Sequence, residues 1–373
     1  MQATSQSERE EFRRSVRAFL ELRSSEAEVR RLIPDDLGYD PEVWKQLSDQ
    51  LELPGLLVPE EYGGQGFSPI EAAVVLEESG RTLLSSPFFA SSVLATWALL
   101  NARPESGQQR SALVASTLSA LADGSTIATL ALDEQSDERA AATKAVQRDS
   151  SWRISGVKTR VFDGHAADLL LVTAELEDGR VGLFLVERGA PGVSVSALTP
   201  LDLTRRQSKI EFSDTPAECI DDDFRGGLAA TLDFGAIAAS AELLGVASRA
   251  LEIAVDYALT REQFGRPIGS FQAIKHLLAE SLATVEQMRA AVYTAAGQSP
   301  ETFGEVSSVV KAYASDSGPR VAETLIQVLG GIGYTWEHVA HLYLRRAKSL
   351  EYLFGTAAEH RARLAIELGL VSA

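Results

Sequence analysis

The chain has 373 residues, 45% of them hydrophobic and 23% charged, which suits a globular protein of more than one domain. Its formal net charge of −17 argues against nucleic acid, whose phosphates are held by Lys and Arg, and against an anionic membrane surface. Cys219 is the single cysteine, so no internal disulfide or cysteine zinc cluster can form, and its neighbours Glu218, Asp221, Asp222 and Asp223 disfavour a thiolate.

The N-terminus, MQATSQSEREEFRR, has no apolar signal core, and no run approaches the ~18 apolar residues of a membrane span. A soluble, cytoplasmic protein is expected. Ser7 with Glu10 fits a helix capping box, followed by Phe12, Val16, Phe19 and Leu20 at helical spacing. Asp40-Pro41 reads as an N-cap with Pro in the first turn, ahead of a buried stripe of Trp44, Leu47 and Leu51. PEEYGGQG (59–66) is a Gly-rich loop. A helix is expected from Ser68 through EAAVVLEESGR, and another over 86–101.

Past Asp123-Gly124 the texture changes. TIATLAL, WRISG, KTRVF, DLLLVTAEL, RVGLFLVE and GVSVSAL are short β-rich runs separated by Gly, Asp and Ser. After Gly226-Gly227 the helices return. Ile237, Ala241, Leu244, Leu251, Val255 and Ala258 mark one long helix; Ser299-Pro300 starts another, and 304–328 is helical ahead of GGIGY, 330–334. The order is helical over 1–123, β over 124–224 and helical over 225–373, an α+β chain of three expected domains.

Three motifs in this order resemble the acyl-CoA dehydrogenase family over nearly the whole chain. GLLVPEEYGGQGFS (55–68) is similar to its N-terminal loop, YALTREQFGRPIGSFQAIKH (257–276) to its C-terminal signature, and QVLGGIGYTWEH (327–338) to its second Gly-rich turn. The resemblance implies an N-terminal helical domain, a central β-barrel and a C-terminal four-helix bundle. It further implies dimers or dimers of dimers, FAD, an acyl-CoA substrate oxidised to the 2,3-enoyl-CoA, and an electron-transfer-flavoprotein-type acceptor. Carried over residue by residue, Arg261, Phe264 and Gln272 hold the adenosine-diphosphate end of an FAD lying mainly in a neighbouring subunit, joined by Gln327 and Gly331. A guanidinium suits that task, because it makes bidentate, charge-assisted bonds to a pyrophosphate.

Departures from the family pattern are equally specific. The base that takes the α-proton must reach that carbon. In most members it is the Glu of a YEGT-like motif, and here YLFGT puts Phe354 in its place. A few members carry it on the helix before RxxFG, where Gly235 stands here. The TEPxxGSD-like flavin loop corresponds to DEQSDERAA, 133–141, with no Gly. In SGVKTRVFD, 155–163, Gly156 and Lys158 keep the frame of the next motif, but Arg160 and Phe162 replace the Trp and Thr that line the flavin. Residues serving the chain's own site are lost, while residues reaching a neighbour's FAD remain. The chain therefore resembles the base-less partner in heteromeric α2β2 acyl-CoA dehydrogenases, as in sterol side-chain degradation.

Alternatives remain at this level. A self-sufficient dehydrogenase needs a relocated base. Its best candidate is Glu242, roughly two turns beyond Gly235 on the same helix face, unless that Glu pairs with an Arg; Glu359 is weaker, on what reads as a solvated face. A flavin monooxygenase on the same fold, or a binding protein, also fits the chain order. His276, His338, His341 and His360 lack His-Glu-x-x-His spacing, so no metal is expected. Trp336 and Tyr334 suit a subunit interface. Lys275 and Lys311 read as surface lysines, with CoA phosphates as the other reading.

Overall fold

The computed structural model describes residues 5–103, 108–132, 143–149 and 151–371, so the DEQSDERAA stretch lies outside the described residues. Helix α1 (Gln6–Arg23) begins one capping box earlier than Ser7 and Glu10 suggest. The Ser5 hydroxyl accepts from the Glu8 N–H, and the Glu8 carboxylate accepts from the Ser5 N–H at 2.8 Å. Val16 and Leu20 on this helix bury completely. A short α2 (Glu26–Leu32) leads to α3 (Pro41–Leu51), capped by Asp40 as its sequence predicts and burying Trp44 and Leu47. Helix α4 (Pro69–Thr82) starts at the Ser68–Glu71 capping box, and a wide-turned helical stretch, Phe88–Ala95, runs into α5 (Thr96–Asn101). Helix α6 (Gln108–Ala122), which no sequence signal marked, completes the helical N-terminal region.

Seven strands follow: β1 (Ala128–Ala131), β2 (Lys144–Arg148), β3 (Ser151–Phe162), β4 (Leu169–Glu175), β5 (Val181–Glu187), β6 (Val193–Ala197) and β7 (Gln207–Asp221). Among the described residues they form one sheet: six run in the order β1-β4-β2-β3-β7-β5, β6 pairs with β7 beside this path, and β5 pairs back onto β4, closing a barrel. WRISG and KTRVF are one strand, not two, because irregularities at Ile154/Gly156 and Lys158/Val161 bend β3 without ending it. Gly156 serves that bend: its φ is +150°, and a Cβ there would meet Thr143. Strands β2 and β7 escaped the sequence reading, since their outward residues are charged and β7 carries Pro216.

Helix α7 (Arg225–Thr260) passes through the centre of the molecule. By length and composition it could cross a membrane, contrary to the sequence reading, but 83% of its apolar stretch is buried within the protein. It packs closely on α4, where Gly80 and Gly245 each face a backbone carbonyl of the other helix. A small hairpin, β8 (Glu262–Gln263) and β9 (Arg266–Pro267), precedes α8 (Gln272–Ala296). Helix α9 (Phe303–Leu329) ends in the 3₁₀ turn Gly330–Tyr334, followed by α10 (Ala340–Tyr352) and α11 (Ala357–Glu367). Helices α7 to α10 make up the C-terminal bundle, with α11 laid on α9.

Candidate functional site

A cleft of about 530 Å³ opens between the end of β3, the loop before β7 and the turn from α10 to α11. Leu130, Leu132, Leu232 and Leu353 give it apolar walls, while Arg160, Gln207 and Lys348 stand among them. That volume and mixed lining suit a small-molecule site. Arg160 enters it from a left-handed backbone position, φ +52°, at the β3 irregularity.

The inner end of the cleft is filled with rings. Phe354 has φ +60° and Gly355 φ +104°. This reversal turns the Phe354 side chain onto α7, where a Cβ at Gly235 would lie 2.9 Å from its Cζ. Phe354 stacks with Phe89 at 6.4 Å between centroids, and Phe89 meets Phe162 edge-on at 6.1 Å. The Arg205 guanidinium lies over Phe89 at 4.5 Å and over Phe162 at 5.3 Å, a cation–π arrangement. The two positions marked by sequence for a base thus hold no acid and pack against one another.

Glu242 is paired rather than free. It is 1% exposed, and Arg205 and Arg346 both donate to its carboxylate. Arg346, fully buried, also binds Asp202 and donates to the Thr204 hydroxyl at 2.6 Å. Both oxygens of the Glu242 carboxylate accept from guanidinium groups, and the burial of these charges is tolerated because they pair. Glu359 lines the cleft mouth but is spent in capping α11: it accepts from the Thr356 N–H at 2.7 Å and hydroxyl at 2.9 Å. Those bonds hold its carboxyl below the usual range, the wrong direction for a general base.

The cofactor-contact candidates sit elsewhere, facing outward. Arg261, Phe264, Gln272, Gln327 and Gly331 are all exposed. Helices α8 and α9 pack as an antiparallel pair, so Gln272 at the start of α8 shares one end of the bundle with Gln327 and Gly331 at the end of α9. Phe264 is 93% exposed at the hairpin tip, with φ +54° followed by Gly265 at +74°, the left-handed pair a two-residue hairpin needs. Nothing lies within 4 Å of a Cβ built at Gly331. The chain's own packing therefore does not call for glycine there. Tyr334 and Trp336, 79% and 61% exposed, flank the same turn.

Other candidates divide. Lys275 and His276 are exposed, but Lys311 is 1% exposed, which rules out both the surface and the CoA-phosphate readings. Its place could have been found from the stripe Ser307, Lys311, Ala314, Gly318, which recurs at helical spacing along one face of α9 and is buried throughout. His360 is buried against Ser308 and the Phe354 carbonyl. No group of three or more potential metal ligands occurs among the described residues. Burial pushes the Cys219 thiol up to about 11. That Glu242 pairs with an Arg was open from sequence, but the identity of Arg205, Arg346 and Asp202 was not, because pairing across distant segments leaves no local signal.

Comparison with known proteins gives a consistent result. Residues 6–116 match the model of the acyl-CoA dehydrogenase N-terminal domain, and residues 227–368 that of its C-terminal domain. Acyl-CoA dehydrogenase IpdE2 of Mycobacterium tuberculosis is 32% identical over 361 residues, 97% of each chain. The crystal structure of the ChsE4–ChsE5 complex from Mycobacterium tuberculosis superposes with a TM-score of 0.89 at 30% identity, covering 100% of both chains. A variant of the Tcur3481–Tcur3483 steroid ACAD gives a TM-score of 0.85 at 31% identity, covering 98% of this chain and 99% of the other.

Proposed function

Since the chain belongs to the acyl-CoA dehydrogenase family, we propose that it works as the base-less partner in a two-chain member of that family. In this reading it contributes contacts to the adenosine and pyrophosphate of an FAD seated mainly in the neighbouring chain. The neighbour supplies the carboxylate that removes the α-proton of the acyl-CoA.

The observation that carries this is the packing of Phe354 on Gly235. Either position could bring a carboxylate to the cleft; instead an aromatic ring occupies the space between them. Exposure of Arg261, Phe264, Gln272, Gln327 and Gly331 supports the other half. These residues fit an FAD approaching from outside: a guanidinium for pyrophosphate, an amide for ribose or adenine, and an open glycine backbone for close approach. Bound FAD would supply the oxidant for the acyl chain. The engaged state of Glu242 speaks against a self-sufficient enzyme. A steroid side-chain acyl-CoA is the favoured substrate class, supported by likeness to a steroid ACAD and to a two-chain complex.

The test is flavin content. The chain is purified alone and after co-expression with an acyl-CoA dehydrogenase-like chain that keeps Glu at the position of Phe354. A colourless chain alone and a yellow heterotetramer by light scattering are expected. A chain that alone retains stoichiometric FAD and oxidises acyl-CoA overturns the proposal.

A further inference from the structure

The turn that carries Phe354 is held from two sides by buried basic groups. On one side, the Lys311 ammonium donates to Leu350 O at 2.8 Å, Glu351 O at 3.0 Å and Ser315 Oγ at 2.7 Å. Three N–H donors meet three acceptors, and two of those acceptors belong to the last turn of α10, where helix carbonyls lack intrahelical partners and the dipole favours a cation. On the other side is His360, 7% exposed, whose Nε2 lies 2.9 Å from Phe354 O and whose Nδ1 lies 3.2 Å from Ser308 Oγ. A carbonyl can only accept, so the ring proton resides on Nε2 and Ser308 donates to Nδ1. Between these two anchors the chain adopts left-handed geometry at Phe354, unfavourable for a bulky residue and sustained only where surroundings impose it.

We propose that Lys311 and His360 are positioning residues: they clamp the turn 350–355 and so keep the Phe354 ring over Gly235, and the proton on Lys311 sets how firmly the inner end of the cleft is closed. This concerns the chain's own cleft and holds wherever the catalytic base resides. Losing that proton leaves Lys311 two N–H groups for three acceptors and turns a lone pair toward one of them. Burial lowers the Lys311 amine to about 7, so the change falls within the physiological range. The charged groups around it are few. On α10 the Glu351 carboxylate pairs with Lys348, on α11 stand His360 and Arg363, and on α7 Asp233 accepts from Arg363 and Ser307. Burial, with the nearby Lys311 and Arg363, holds His360 below its usual range.

The experiment replaces Phe354 by 4-fluorophenylalanine in the full chain and follows its ¹⁹F resonance from about pH 6 to 8.5. A resonance that moves with a midpoint near 7 is expected. In Lys311→Arg, which stays charged, the resonance should keep its acid position throughout; in Lys311→Met it should take the alkaline position at every pH. His360→Ala should move the resonance at pH 6, and His360→Gln, which retains a donor, should bring it back. Circular dichroism reports folding, and Lys311→Arg keeps the test readable if Lys311→Met does not fold. A resonance that does not titrate, or one that titrates in Lys311→Arg as in the parent chain, overturns the proposal.

Discussion

The Phe354 ring rests on Gly235, so close that a single methyl group at Gly235 would stand 2.9 Å from the ring edge. One residue comes from the turn after α10 and the other from the middle of α7, 119 positions apart by subtraction of their numbers. Each position therefore constrains what the other can carry.

Gly235→Ala should destabilise the chain. Overpacking at such a contact costs about 1–3 kcal/mol, which outweighs the up to ~1 kcal/mol that Ala gains over Gly inside a helix. In the presence of Phe354→Leu the loss should shrink, giving a coupling of at least ~0.5 kcal/mol in a double-mutant cycle. Urea unfolding of the four chains measures it; strictly additive effects would refute the contact.

Glu242→Gln should act on stability rather than catalysis. It removes the carboxylate that Arg205 and Arg346 share, leaving buried guanidinium charge uncompensated. Breaking a buried pair in this way costs about 3–5 kcal/mol. The reduction rate per folded molecule of the proposed two-chain enzyme should stay within a few-fold. A loss on the order of a hundredfold with stability intact would make Glu242 a general base.

Arg261→Ala should weaken FAD retention by the proposed two-chain enzyme and leave the chain's own stability unchanged, because Arg261 is exposed at the hairpin. A charge-assisted contact is worth about 1.5–3 kcal/mol, or roughly a tenfold to hundredfold change in affinity. Fluorescence titration of the apo-complex with FAD reads this directly, and an unchanged affinity places the cofactor elsewhere.

Stability should depend on pH in two windows of opposite sign. Burial raises the Asp163 carboxyl from 3.8 to about 7 against the pull of Arg205 and Arg346. Between those values the folded chain binds the extra proton, so stability falls as pH rises. Lys311 is lowered from 10.5 to about 7, so above 7 the unfolded chain binds the extra proton and stability rises with pH. Asp163→Asn, which tolerates the left-handed backbone at that position, should flatten the first window, and Lys311→Met the second. Urea midpoints across pH 4 to 10 test both; a window that survives its own substitution contradicts the assignment.

The sequence by itself determined the order of helical and β segments, the Asp40 and Ser68 helix starts, the family, and that positions 235 and 354 carry no acid. These are local properties: periodicity, caps and short motifs are read within a few residues. It also marked Arg261, Phe264, Gln272, Gln327 and Gly331, because a motif keeps its spacing whether or not its ligand is present. Tertiary structure alone decided that Glu242 is bound by arginines, that Lys311 is buried under α10, and that Phe354 lies on Gly235. Each of these joins segments far apart in the chain, and a buried charge or a close contact is defined by partners that no local pattern names. The closing of the barrel by β5 on β4, and the strands β2 and β7 within it, belong to the same class, since strand pairing between distant segments overrides weak local propensity.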